Sequence, residues 1–136
     1  MDALATQLET ELSPHVTNLQ VVGRMTFNPT DPCIDIYPDD PFQEASGFGE
    51  MDTDLHFVVR ARVSTVDHEG AQDMLLALMD PTGDASVRKA VSADKTIGGT
   101  VQDAVCFPPS DFAAFVAPAP SKGALLGCTW SVTVTL

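Results

Sequence analysis

The sequence predicts an α+β domain, a mostly antiparallel sheet with helices packed on one face. Three observations carry that prediction. Residues 55–66 and 124–136 alternate apolar and polar side chains with a period of two. Residues 2–12 and 67–79 instead place apolar side chains at helical spacing. The 136 residues hold no internal repeat and no linker, so residues 1–136 form a single domain.

Taken in order, residues 2–12 form a helix. Leu4, Leu8 and Leu12 recur every four positions, Asp2 stands at the start, and Pro14 ends the run. Residues 19–27 then read as a strand, with Val21, Val22, Met25 and Phe27 in it. The segment Asn28-Pro29-Thr30-Asp31-Pro32 turns the chain, and residues 33–37 form a second strand with Ile34 and Ile36 on one face. The short connection predicts an antiparallel hairpin.

Residues 38–54 are rich in Pro and Gly and lack an apolar period. They carry Asp39, Asp40, Glu44, Glu50, Asp52 and Asp54 and no basic residue. The expectation is a long acidic loop. In residues 55–66, Leu55, Phe57, Val59, Ala61, Val63 and Thr65 line one face. His56, Val58, Arg60, Arg62 and Ser64 line the other. Asp67 offers an N-cap for the helix to Met79, which Asp80-Pro81 stops.

Asp84 offers a cap for a short helix containing Val87, Ala90 and Val91. Gly98-Gly99 breaks the chain before a strand over residues 100–107, which Pro108-Pro109 ends. Residues 112–117 fit either a short strand or one helical turn. In the last strand Leu126, Cys128, Trp130, Val132, Val134 and Leu136 face one way, with Thr129, Ser131, Thr133 and Thr135 opposite.

Charge narrows the function classes. Nineteen acidic residues against seven basic ones give a net charge of −12. A phosphate-neutralising grip on nucleic acid and docking on an anionic membrane both need clustered Lys and Arg. Acidity suits a surface past which DNA slides without sticking. The start has neither the basic cluster nor the apolar run of a signal peptide or membrane anchor. Cys33, Cys106 and Cys128 lack zinc-ligand spacing and sit among apolar neighbours, as buried reduced thiols of a cytosolic protein do.

No catalytic, cofactor or metal site is predicted. Asp67-His68-Glu69 are consecutive at a helix start, so their side chains splay around the axis. His56 and His68 are expected as surface or capping residues. Gly47-Phe48-Gly49 lacks the third glycine and the helix of a phosphate loop, and no nucleophile-elbow pattern occurs. Asp39 and Asp40 have carboxylates suited to a hard cation but not the spacing of an EF-hand loop. Arg60 and Arg62 point the same way from one strand, and guanidinium forks bind carboxylates. They serve either an intramolecular ion pair or a contact with an acidic loop of a neighbouring subunit. Arg60, Arg62, Asp39 and Asp40 are therefore the candidate subunit contacts.

Five segments carry a family resemblance. They are Gly23-Arg24-Met25-Thr26-Phe27-Asn28-Pro29, Cys33-Ile34-Asp35-Ile36-Tyr37-Pro38, Arg60-Ala61-Arg62-Val63-Ser64-Thr65, Gln72-Asp73 through Met79-Asp80-Pro81, and Leu126-Gly127-Cys128-Thr129-Trp130. Together the chain resembles the tail terminator, or neck, proteins of siphophages, especially those of actinobacterial hosts. The resemblance implies a non-enzymatic virion structural protein that forms a hexameric ring of itself. Such a ring caps the tail tube, ends its polymerisation and gives the head a joining surface. Implied partners are the tail tube protein and the head–tail connector proteins, with DNA passing through unbound and no membrane. The implied location is the head–tail joint of the virion, after assembly in the host cytoplasm. The other readings are a different head–tail connector or minor tail protein, or a small hydrolase using His56 or His68.

Overall fold

A computed structural model describes residues 2–16, 18–25, 32–45, 53–64, 68–116 and 124–136. The chain runs α1 (Asp2–Leu12), β1 (Gln20–Val22), β2 (Cys33–Ala45), β3 (Thr53–Ser64), α2 (His68–Met79), α3 (Val87–Ser92), β4 (Asp103–Cys106), β5 (Ser110–Val116) and β6 (Ala124–Thr135). The strands form one six-stranded sheet in the order β1-β2-β3-β6-β4, with β5 also paired to β6. Because β3 takes one side of β6 along nearly its whole length, β4 and β5 share the other side. The class is α+β, as the sequence predicts.

The two periodic strands form the middle of the sheet. Their register places Phe57 opposite Val132, Val59 opposite Trp130 and Ala61 opposite Cys128. Ile34 and Ile36 of β2 join this face opposite Ala61 and Val59, and Ala104 and Cys106 of β4 extend it. The helices cover it with Leu4, Leu8 and Leu12 of α1, Leu75 and Leu78 of α2, and Val87 and Val91 of α3, all buried. Among the described residues these side chains form one core, and apolar burial there is the main stabilising term. Gly23 lets α1 start close against the end of β1. A Cβ at that position would stand 2.6 Å from an Asp2 carboxylate oxygen and 3.3 Å from its Cα.

Three expectations are corrected. First, β1 pairs with β2 in parallel, with Gln20 opposite Cys33, so the predicted antiparallel hairpin does not form. The Gln20 amide donates to the Pro32 carbonyl at 3.0 Å. The strand ends at Val22, and ten residues, not a tight hairpin turn, separate it from β2. The predicted turn and Phe27 lie mostly outside the described residues.

Second, the predicted loop 38–54 is largely strand. Strand β2 runs to Ala45, and β3 begins at Thr53. A register shift between Pro38 and Gln43 absorbs the prolines as a bulge. Strand β1 covers only Cys33–Asp35, so Pro38 and Pro41 fall where β2 is an edge and a missing donor is tolerated. Residues 46–52 lie outside the description.

Third, Ser86, not Asp84, caps α3. Its hydroxyl accepts from the Lys89 amide at 3.1 Å. Of the two forms open for residues 112–117, the strand is found: β5 ends at Val116, and residue 117 is outside the description. The Asp67 cap and the end of the third strand at residues 65–66 also lie outside the described residues.

Candidate functional site

The other face of the sheet carries the charged cluster. Alternation turns Cys33, Asp35 and Tyr37 away from the core. Register then sets Cys33 opposite Arg62 and Asp35 opposite Arg60. The Arg60 guanidinium donates to both Asp35 oxygens, at 3.1 Å from Nε and 2.6 Å from Nη2. Arg62 Nη2 donates to Asp35 Oδ2 at 3.2 Å. The Tyr37 ring lies 5.1 Å from the Arg60 guanidinium carbon, within cation–π range.

Burial decides what this cluster can do. The Asp35 side chain is 0% exposed, Arg62 8% and Arg60 16%. Desolvating a carboxylate costs several kcal/mol, and an ion pair at about 4 Å returns about 4 kcal/mol at an effective dielectric near 20. The cluster desolvates three charged groups and gains two such pairs, so desolvation offsets much of what the pairing returns. An incoming carboxylate would have to compete with Asp35 for both guanidinium groups.

The surroundings shift the titrating groups in line with this geometry. Burial works against the charge of Arg60, but the hydrogen bond and charge of Asp35 outweigh it and raise its pKa. Arg62 shifts the other way, because burial outweighs Asp35 and Arg60 adds repulsion. Burial, reinforced by the Asp35 charge, pushes the Cys33 thiol up to about 11. Burial also raises Tyr37.

The four predicted contact residues thus fall into two groups. Arg60 and Arg62 meet on Asp35, the intramolecular pairing that the sequence weighed against a subunit contact. Asp39 and Asp40 stand apart on the β2 bulge, where the Asp40 amide donates to Asp39 Oδ1 at 2.8 Å. Asp40 is exposed and Asp39 half-buried. Sequence reasoning missed Asp35. Its signal was a lone acid between Ile34 and Ile36, on the same face as the paired arginines.

His15 is exposed, and the side chain of His68 lies outside the described residues. His56 Nδ1 is 3.0 Å from Thr133 Oγ1 across the β3–β6 ladder. Among the described residues no group of three or more His, Cys, Asp or Glu is placed to hold a metal ion. No described helix is long and apolar enough to cross a membrane. Compared with protein-family models and with curated protein sequences, the chain matches none.

The remaining surface divides by charge. In the helix layer, Arg88 and Lys89 of α3 and Lys95 of the following turn are exposed. Lys89 reaches Asp84 only at 3.8 Å, with both side chains largely in solvent, a pair worth little. Val105, Phe107, Phe112 and Leu136 are 43–48% exposed, and Val105 alternates with the core residues Ala104 and Cys106, so it faces the side of the sheet away from the helices.

Proposed function

We propose that the chain is a virion assembly subunit, and within that class a siphophage tail terminator. In this reading a ring of copies, six by family resemblance, caps the tail tube, stops its growth and presents the surface to which the head joins. The observation that carries the reading is architectural. One helix layer covers one sheet face, while among the described residues the outer side of β4 and β5 pairs with no strand and is left to make contacts outside that core. This is the α+β form that the five resembling segments imply. The net charge of −12 supports it further, because a channel for DNA must repel phosphate. Partners under this reading are further copies of the chain, the tail tube protein and the head–tail connector proteins.

Electron microscopy of virions and of particles from a gene deletion tests the proposal. A ring of this chain at the head–tail joint, with overlong tails in the deletion, is the expected result. Normal tails with unjoined heads would transfer the chain to the head–tail connectors. Absence from particles overturns the virion reading altogether.

A further inference from the structure

We infer that the helix-free face of the sheet binds, along β6, an extended segment of another protein with Lys or Arg at both ends of a seven-residue stretch and apolar side chains between. The inference goes beyond the tail-cap reading and does not depend on it.

Register builds the strip. On this face β6 presents Thr129, Ser131, Thr133 and Thr135. Strand β3 stands on one side, with Val58 opposite Ser131 and His56 opposite Thr133. Strand β4 stands on the other, with Val105 opposite Thr133. Phe107 extends that side, its amide donating to the Ser131 carbonyl at 2.9 Å. Small hydroxyl side chains thus form a low floor between taller walls, apolar on the β4 side. Val105 and Phe107 are nearly half exposed and Ser131 is exposed, so the strip is open to solvent.

Carboxylates stand at both ends. At one end Asp111 accepts from the Thr129 hydroxyl at 3.3 Å. At the other, Asp54 accepts from the Thr135 hydroxyl at 2.9 Å, and Asp103 stands opposite Thr135 on β4. Asp103 and Asp111 are exposed, and among the described residues neither makes an ion pair. Arg60, opposite Thr129, instead donates to Asp35 across on β2.

Dimensions and charge select the occupant. Thr129 to Thr135 spans about 20 Å, and β3 and β4 lie two strand spacings, about 10 Å, apart. That footprint of about 200 Å² is far below the roughly 800 Å² per partner of a stable interface between folded proteins. One extended chain fits it. Alternate side chains of such a chain face the same way, so the first and seventh reach the carboxylate ends while the third and fifth meet Val105 and Phe107. Charge complementarity places bases at the two ends. This chain does not supply such a segment. Its only bases six or seven residues apart, Arg88 and Lys89 with Lys95, are held in α3 and the turn after it, with Val91 between them buried. The occupant is therefore a different protein.

The test titrates the full chain with a capped peptide, Lys-Thr-Val-Thr-Leu-Thr-Lys, and follows amide NMR shifts. One control peptide has Glu at both ends; the other has Ser in place of Val and Leu. The expected result is a Kd of about 1 mM or tighter, with shifts concentrated at Val105, Phe107, Ser131 and Thr133. Each control peptide should bind at least about tenfold more weakly. Asp103→Asn with Asp111→Asn should weaken the first peptide by at least about threefold. Asn tolerates the positive φ of Asp111, and thermal melting confirms that the variant is folded. Glu9→Gln with Asp73→Asn removes the same charge from exposed helix positions and should leave binding unchanged. Absence of binding at about 5 mM peptide overturns the strip as a docking site. Equal binding of either control peptide, or equal weakening by the helix variant, also overturns it, because attraction to net charge alone then explains the result. The tail-cap reading is separate and answers to particle localisation and the deletion phenotype.

Discussion

The two faces of the sheet are built from the same three central strands and solve opposite problems. The helix-covered face buries Val59, Trp130, Cys128 and Val132 with no charge among them. The other face buries Asp35 and Arg62 beside Cys33, while Ser131 two strands away is exposed. On the first face burial itself stabilises. On the second, burial is tolerated only because every charge finds a partner at hydrogen-bond distance. The first face is therefore tolerant of pattern and sensitive to volume. The second is tolerant of volume and sensitive to the loss of one partner.

The largest expected effect comes from emptying the apolar face. Trp130 is 0% exposed and sits at the centre of β6 opposite Val59. Trp130→Ala should cost about 3–5 kcal/mol, read as a lower urea midpoint. Its indole nitrogen has no hydrogen-bond partner among the described residues, so Trp130→Phe loses volume but no bond. A cost for Phe as large as that for Ala would show that this face is held by polar contact after all.

The charged face should break differently. Asp35→Ala leaves two guanidinium groups without their shared carboxylate and should cost about 3 kcal/mol, less than the full penalty because Arg60 is partly exposed. Replacing all three residues together (Asp35→Leu, Arg60→Met, Arg62→Met) should cost less than Asp35→Ala alone. Urea melts of the single and triple variants decide it. A triple variant that is less stable than the single one would mean that the cluster stabilises outright. Reversing Arg60 and Arg62 to Glu would place three acids together and should prevent folding, so it cannot report on assembly. A smaller effect belongs to the helix layer. Ser86→Ala removes the α3 cap and should lower stability by about 1 kcal/mol in the same melts.

The apolar face was legible in the sequence because alternation and helical spacing encode it directly. Residues 55–66 and 124–136 were expected as strands, and β3 and β6 fall at Thr53–Ser64 and Ala124–Thr135. The charged face was legible only in part. Arg60 and Arg62 announced a shared direction, but the partner that faces them is fixed by the β2–β3 register, a property of two distant segments. The same limit explains β1. Three residues of strand hold too little pattern to reveal whether they pair parallel or antiparallel. Prolines misled at residues 38–45, because an edge strand with a bulge accommodates what a central strand cannot. Asp84 and Ser86 are equally good caps by type, and only the position of Val87 chose between them.

The cysteines give the smallest and most graded test, since they sit on both faces. Cys106 and Cys128 lie on the apolar face, where burial pushes each thiol up to about 12, with Arg88 pulling slightly against it at Cys106. Cys33 lies on the charged face and is pushed up to about 11, by burial and then by Asp35, with the two arginines pulling back. A thiol raised above its unfolded value of about 8.5 binds more protons in the folded state at intermediate pH. Its contribution is complete below about pH 8.5 and is lost as pH rises toward the folded values. Melting temperature should therefore hold steady to about pH 8 and fall progressively above pH 9. At pH 8 the folded protein should resist thiol reagents at all three sites and react fully once unfolded. In Asp35→Asn, removing the charge that raises Cys33 should speed its labelling while Cys128 stays slow. Equal acceleration at both would mean that the variant opens the whole fold, and no acceleration at Cys33 would show that burial alone sets its reactivity.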